Sequence, residues 1–361
     1  DVLKRWKIRG ASSPLLDARL KYMEVEGVAR YVRGMQGVER IAPRMLPTQA
    51  SGRTSTSKPP LVNFPPDCVS PECQRPEEHT PKWPECWSTR DVVFPDPGTY
   101  WVHFDLDAVE ARILAADCGD TEDLEAFARH EDIHTLTACR ALGVPLPPIR
   151  TKALHTALEC QDWRYLWAPE WSGEGDRRRH LFKTVRYAMQ YSIDHKGVRE
   201  AKDTEKLGTT VEELEKFARA YLASKTVMVL AKRRTMEECA RTHMSRTLLS
   251  GRLRRLYGTV DDQKKMGLNH RIQGTVADVI ATVAFAIDRA FPESWLILNS
   301  HDGLTFGLPD TTPRDVISTR YQPLVERVWP IAGYQLPLPA SWEIIEPNGN
   351  RVPLPGLNGV S

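Results

Sequence analysis

The feature that most limits what this chain can become is a long stretch of helical periodicity, Ala108 to Ile287, bracketed by short strand patterns. Before it stands Trp101–Leu106, an apolar run of strand length. After it come Trp295–Asn299 and Leu304–Gly307, joined by Ser300-His301-Asp302-Gly303, where Asp and Gly suit a hairpin turn. Strands at two distant points with helices between them predict an α+β chain, a small sheet carrying acidic residues with a long helical insertion. The helical pattern breaks near Ser172–Gly175 and around Ser250–Thr259. Leu15, Leu16, Leu20, Met23, Val25, Val28 and Val32 recur at roughly helical spacing within residues 13–36. Residues 46–66 read as loop, residues 65–88 as an irregular insert rich in proline, and the tail after Asn348 as loose. The apolar run Val279–Ile287 falls far short of the ~20 residues of a membrane helix. Seven cysteines, an odd number in a long chain, argue against a disulfide scaffold and for a reducing compartment. With 49 basic and 47 acidic residues, any nucleic-acid contact depends on clustering, not on net charge.

Several constellations could carry chemistry. Asp105 closes a strand and Asp302 sits in a tight turn. Two carboxylates so held can converge on one spot with little entropy loss, as phosphoryl transfer through paired divalent cations requires; either alone reads as a turn former. Arg179, Lys183, Tyr187 and Tyr191 stand at i, i+4, i+8 and i+12, a stripe cationic at its start and aromatic at its end. A triphosphate could lie along Arg179 and Lys183 with its base at Tyr187; the alternative is a solvated basic face with two core tyrosines. Lys265, Asn269 and Gln273 form a polar stripe on an otherwise apolar helix, suited to a sugar–phosphate backbone or a minor groove, or simply to solvent. The basic run from Arg246 to Arg255 adds positive charge nearby. Cys68, Cys73, His79 and Cys86 are candidate ligands for a tetrahedral zinc site, in a spacing that matches no common finger. Cys118, Cys139, Cys160 and Cys239 read as ordinary buried thiols.

The order of these segments resembles the polymerase portion of the family A DNA polymerases. Asp105-Leu106-Asp107-Ala108-Val109-Glu110-Ala111-Arg112 is similar to that family's motif A. Arg179, Lys183, Tyr187 and Tyr191 fall on motif B, and His301-Asp302-Gly303 on motif C, usually His-Asp-Glu. Asp132-Ile133-His134, Asn269 to Thr275, Ser51 to Ser57 and Asn63 match further motifs in order, so the likeness runs from about Leu15 to about Pro347. The resemblance implies a right-hand polymerase fold: a partial thumb helix in 1–47, a palm with a small antiparallel sheet in 48–112 and 263–361, and helical fingers in 113–262. It implies that Asp105, Asp302 and the Leu106 carbonyl bind two Mg²⁺ ions, with Mn²⁺ able to substitute. His134, Arg179 and Lys183 would hold a deoxynucleoside triphosphate, with Lys183 also catalytic. Tyr187 would lie against its sugar and base, and Glu110, beside Tyr191, would exclude a ribose 2′-hydroxyl. Arg53, Asn63, Lys265, Asn269, Gln273 and His301 would touch primer–template DNA. The expected setting is the cytoplasm of a bacterial or phage-infected cell, an organelle being the alternative, with a monomer that could meet accessory replication proteins and no membrane.

The chain also departs from the family pattern. Gly303 replaces the motif C Glu, which predicts weaker metal binding. Ser192 and Arg186 replace small residues of motif B, Val62 and Pro60 replace polar DNA contacts, and Asp67 stands where an Arg is common. The thumb is expected to be reduced to its last helix, which predicts low processivity, with no proofreading domain expected before it; either those parts were removed or the polymerase is a compact one. Two rival readings follow: a catalytically impaired DNA-binding protein derived from a polymerase, and a single-subunit RNA polymerase, against which Glu110 argues.

Overall fold

The computed structural model describes residues 44–46, 53, 55–57, 93–142, 175–200 and 209–354. The fold is α+β. Strands β1 (Arg44–Leu46) and β2 (Ser55–Ser57) pair antiparallel, Arg44 opposite Ser57. Ser55–Ser57 lies in a segment expected to be loop; Thr56, buried in the middle of β2, accounts for the difference. Strand β3 (Thr99–Leu106) alternates cleanly. Tyr100, Val102, Phe104 and Leu106 are buried, while Trp101, His103 and Asp105 take the other face. Helix α1 (Val109–Cys118) follows at once and stops at Gly119, whose φ of 67° lets its N–H turn back to the Ala116 carbonyl. Asp120 caps α2 (Thr121–Ala128) by accepting from the Asp123 N–H. Then come α3 (Ile133–Leu142), α4 (Gly175–Gln190), a 3₁₀ turn (His195–Glu200), and α5 (Val211–Ser224), capped by Thr210.

Helix α6 (Thr226–Thr242) leads into a two-stranded hairpin, β4 (Met244–Arg246) and β5 (Leu253–Arg255), where the helical pattern was seen to break. The long α7 (Val260–Ala290) follows, then β6 (Trp295–Ser300), β7 (Gly303–Pro309), a π-helical turn (Ile317–Tyr321) and the one-turn α8 (Gln322–Val325). Strands β8 (Val328–Ile331), β9 (Tyr334–Pro337), β10 (Ala340–Ile345) and β11 (Arg351–Leu354) complete the described chain. The tail after Asn348 is thus not wholly loose, because β11 pairs antiparallel with β10, Trp342 opposite Leu354. Pro353 is tolerated there since β11 is the edge strand of the sheet order β11-β10-β3-β7-β6, and an edge position needs no N–H on its open side.

The chain divides into two compact units. One gathers the described residues up to Asp105 with Ile280–Tyr321 and Ser341–Leu354; the other gathers Leu106–Val279 with Gln322–Ala340. The first holds the five-stranded sheet. Its core packs Phe104 against Trp342, ring centroids 5.0 Å apart, and stacks Tyr321 on Phe291 at 3.9 Å and on Phe306 at 4.9 Å. Each such ring, fully buried, contributes about 1.5–3 kcal/mol. The second unit is mostly helical. Leu181, Phe182, Val185 and Met189 give α4 a buried face, and Leu214, Ala218 and Tyr221 do the same for α5. The candidate helix in 13–36, the insert 65–88 and Cys160 lie outside the described residues. Cys118, Cys139 and Cys239 are buried, as expected. No helix among the described residues is long and apolar enough to cross a membrane.

Candidate functional site

In the first unit the antiparallel register of β3 and β7 sets Asp105 opposite Gly303, the residue that follows Asp302. The two aspartates are therefore brought to the same end of neighbouring strands, although nearly two hundred positions separate them in sequence. The hairpin needs only two connecting residues, His301 and Asp302, between the paired Ser300 and Gly303. His301, not glycine, takes the left-handed backbone, with φ 48°. Gly303 has a different task. A Cβ there would stand 2.1 Å from the Phe104 carbonyl oxygen and 3.1 Å from Asp105 Cα, so β3 presses on this residue too closely for any side chain. One step further along, His103 Nδ1 meets Thr305 Oγ1 at 2.9 Å.

Asp105 is exposed, and Asp302 is half-buried. Arg53 donates from Nη2 to Asp302 Oδ1 at 2.7 Å. A guanidinium already seated on this carboxylate shows that the turn attracts a cation, and carboxylate oxygens are hard donors of the kind Mg²⁺ prefers. Among the described residues no group of three or more His, Cys, Asp or Glu is placed to hold a metal ion. Asp105 and Asp302 are the two carboxylates that this strand end offers. Asn63, Cys68, Cys73, His79 and Cys86 lie outside the described residues.

In the second unit α3 and α4 bring two of the expected nucleotide residues together. The His134 and Tyr187 rings lie 5.9 Å apart, tilted by 49°. His134 is buried, while Tyr187 is 47% exposed and so is no core tyrosine. Lys183, one turn before it on α4, is half-buried. Arg179 belongs to the same helix, and its side chain lies outside the described residues. Glu110, on the first turn of α1, accepts from the Tyr191 hydroxyl and from Gln190 Nε2, the latter at 2.8 Å. Gln190 Nε2 also donates to the Tyr191 hydroxyl at 3.2 Å.

What seats α4 is a set of buried charges that sequence reasoning did not assign. Arg186 donates to Asp123 Oδ2 at 2.7 Å and to Thr137 Oγ1 at 3.0 Å. Lys225 reaches Asp123 Oδ1 at 2.6 Å and Asp120 Oδ2 at 2.9 Å. Burial alone would raise the Asp123 carboxyl, but Arg186 and Lys225 outweigh it and hold it below the usual carboxylate range. Lys232, fully buried, donates to the Met189 and Ser192 carbonyls at 2.6 Å each and so closes the C-terminus of α4. Burial pushes its ammonium down to about 8. The signal for Arg186 and Gln190 was present: they stand at i and i+4 among Phe182, Val185 and Met189, polar residues on an apolar face.

On α7, Lys265 is exposed, and Asn269 and Gln273 are half-buried. Asn269 Oδ1 is buried without a partner among the described residues. The neighbouring Arg271 is already taken, bidentate on Asp117 at 2.7 to 2.9 Å. The basic run splits in the same way. Arg252 is held by Asp278 at 2.9 Å, whereas Arg246 and Arg255 are exposed on the β4–β5 hairpin, Arg246 donating to the Gly251 carbonyl at 3.3 Å.

Residues 5–157 match the sequence model of DNA polymerase family A. The chain is 26% identical over 270 residues to DNA polymerase I of Mycobacterium bovis, covering 71% of this chain and 25% of that protein. It is 24% identical over 295 residues to the thermostable DNA polymerase I of Thermus aquaticus, covering 78% and 29%. Among solved structures, the polymerase domain of Pol1 from M. smegmatis, in complex with DNA primer–template and dNTP, superposes with a TM-score of 0.67 at 22% identity, covering 93% of this chain and 54% of that one. The fold is thus that of a DNA polymerase I polymerase domain. The chain spans about a quarter of the length of the curated relatives it matches.

Proposed function

Since the chain is a relative of the family A DNA polymerases, we propose that it adds deoxynucleotides to a primer 3′-hydroxyl under the direction of a template strand. The observation that carries this is the register of β3 on β7, which sets Asp105 opposite the residue following Asp302. In this reading Asp105, Asp302 and the Leu106 carbonyl hold two Mg²⁺ ions, or Mn²⁺ in their place. Bound there, the ions would supply the charge that activates a 3′-hydroxyl and steadies a leaving pyrophosphate. The protein's own groups do the positioning. His134, Arg179 and Lys183 hold the triphosphate, and Lys183 is also assigned a catalytic role. Tyr187, whose ring lies 5.9 Å from that of His134, rests against sugar and base. Glu110, fixed by two donors, fills the space a 2′-hydroxyl would need, which disfavours the RNA polymerase alternative. Arg53, Asn63, Lys265, Asn269, Gln273 and His301 track the primer–template. Arg53 must exchange Asp302 for DNA or share it, because its guanidinium now lies on that carboxylate. The palm is assigned to 48–112 and 263–361, the fingers to 113–262 and a partial thumb to 1–47.

A second reading, a DNA-binding protein with impaired catalysis, is favoured by Gly303, where β3 excludes the side chain that motif C usually carries. Primer extension by the wild type with Mg²⁺ and the four deoxynucleotides separates the two. Extension along the template supports synthesis; salt-dependent binding of primer–template with no incorporation at any Mg²⁺ or Mn²⁺ concentration supports the second reading and overturns the first.

A further inference from the structure

We infer that Gln190 is a sugar-specificity residue: it holds the Glu110 carboxylate in the position that excludes a 2′-hydroxyl. This rests on the reading of the chain as a DNA polymerase and adds to it a residue outside the motif positions. Gln190 is the last residue of α4 and is 2% exposed. Its amide has two hydrogens, and two acceptors lie within reach: Glu110 Oε2 at 2.8 Å and the Tyr191 hydroxyl oxygen at 3.2 Å. The Tyr191 hydroxyl in turn donates to the same Glu110 oxygen. The three groups form a closed triangle in which one carboxylate oxygen accepts twice.

The geometry matters because a carboxylate is a movable obstacle. One donor fixes the distance to an oxygen but leaves the carboxyl plane free to swing. A second donor from another direction removes that freedom, and charge-assisted bonds in a half-buried setting are the strong kind. To admit a ribose, Glu110 must turn aside and give up its bonds to Gln190 and Tyr191. With Gln190 absent it has one fewer to give up. The backbone cooperates, since Lys232 ties the carbonyls of Met189 and Ser192, on either side of Gln190 and Tyr191. The amide is thus presented from a stretch of chain held at both ends.

Gln190→Met keeps the length and volume of the side chain and removes both donors. The test measures kcat/KM for a deoxynucleotide and for the matching ribonucleotide on one primed template. The variant is expected to use the deoxynucleotide within about threefold of wild type and to lose roughly tenfold in discrimination, equivalent to ~1.4 kcal/mol, through a gain in ribonucleotide use. Gln190→Asn, whose shorter amide falls short of Glu110, is expected to behave likewise and replaces the Met variant if that fails to fold. In a Glu110→Ala background, Gln190→Met should leave the ratio unchanged. A wild type that incorporates deoxynucleotides, with both Gln190 variants discriminating as well as it does, overturns this inference and leaves the proposed function standing. A wild type that incorporates nothing overturns both. An equal loss for both sugars also overturns it, because that is what a merely structural role would produce.

Discussion

At the scale of single residues, Gly303 and Asp302 carry most of the argument. Read in sequence, Gly303 is a turn former and a missing acid. In the folded chain it is neither: His301 makes the turn, and Gly303 leaves room for the Phe104 carbonyl. Restoring the family's acid should therefore fail. Gly303→Glu is expected to destabilise the protein by about 1–3 kcal/mol, the usual penalty of overpacking, without raising metal affinity. Urea unfolding together with Mg²⁺ titration of nucleotide incorporation checks both halves. The carboxylates, the cationic stripe and Glu110 could be singled out as candidates in sequence because their residue types and order matched motifs. The close approach at Gly303 was not, because the spacing between two strands is written in neither of them. Gln190 was passed over for a related reason. Its polar place on the apolar face of α4 could be read from spacing, but its partners Glu110 and Tyr191 could not, because only the fold brings Glu110 alongside.

At the scale of elements, α4 is held by charge on its buried face and at its C-terminus. Arg186→Ala would leave the buried Asp123 with Lys225 at 2.6 Å and the more distant Arg140 at 3.9 Å, and the expected cost is about 3–5 kcal/mol. Replacing both partners, as Arg186→Met with Asp123→Leu, should cost much less, which denaturant unfolding of the single and double variants would reveal. Lys232 gives α4 a pH signature. Burial lowers its ammonium to about 8 in the folded chain, from the ordinary 10.5. Between those values the unfolded chain binds more protons, so the stability owed to this residue rises with pH across the window. Below pH 8 both states are charged and the burial penalty stands in full. Relative to Lys232→Met, the wild type should gain up to about 3 kcal/mol between pH 8 and 10.5. A constant difference between the two proteins across that range would count against the assignment. Strand β3, the β6–β7 hairpin and α4 were legible from periodicity. Strand β11 was not, because proline and glycine read as loop and only the edge position makes Pro353 acceptable.

At the scale of the whole molecule, near-neutral charge conceals how many charges are already spent internally. Arg186, Lys225, Arg252 and Arg271 are each paired with an aspartate, so they are poor candidates for phosphate contacts. Exposed Lys265 is a better one, and Lys265→Ala should lower the salt slope of primer–template binding by about one. An unchanged slope in a fluorescence titration would remove it from the DNA surface. The α+β class could be read from the alternation of strand and helix patterns, and the polymerase likeness from motif order. The grouping into two units could not, because the chain leaves the first unit after Asp105, returns within α7, and leaves again for β8 and β9. The central claim is that two aspartates, joined only by the register of β3 and β7, act together in nucleotide addition. The most direct measurement is single-nucleotide incorporation with Mg²⁺ by Asp105→Ala and by Asp302→Ala, beside wild type. Each variant should fall by about a thousandfold or more while still binding primer–template. Incorporation at the wild-type rate by either one would contradict the account.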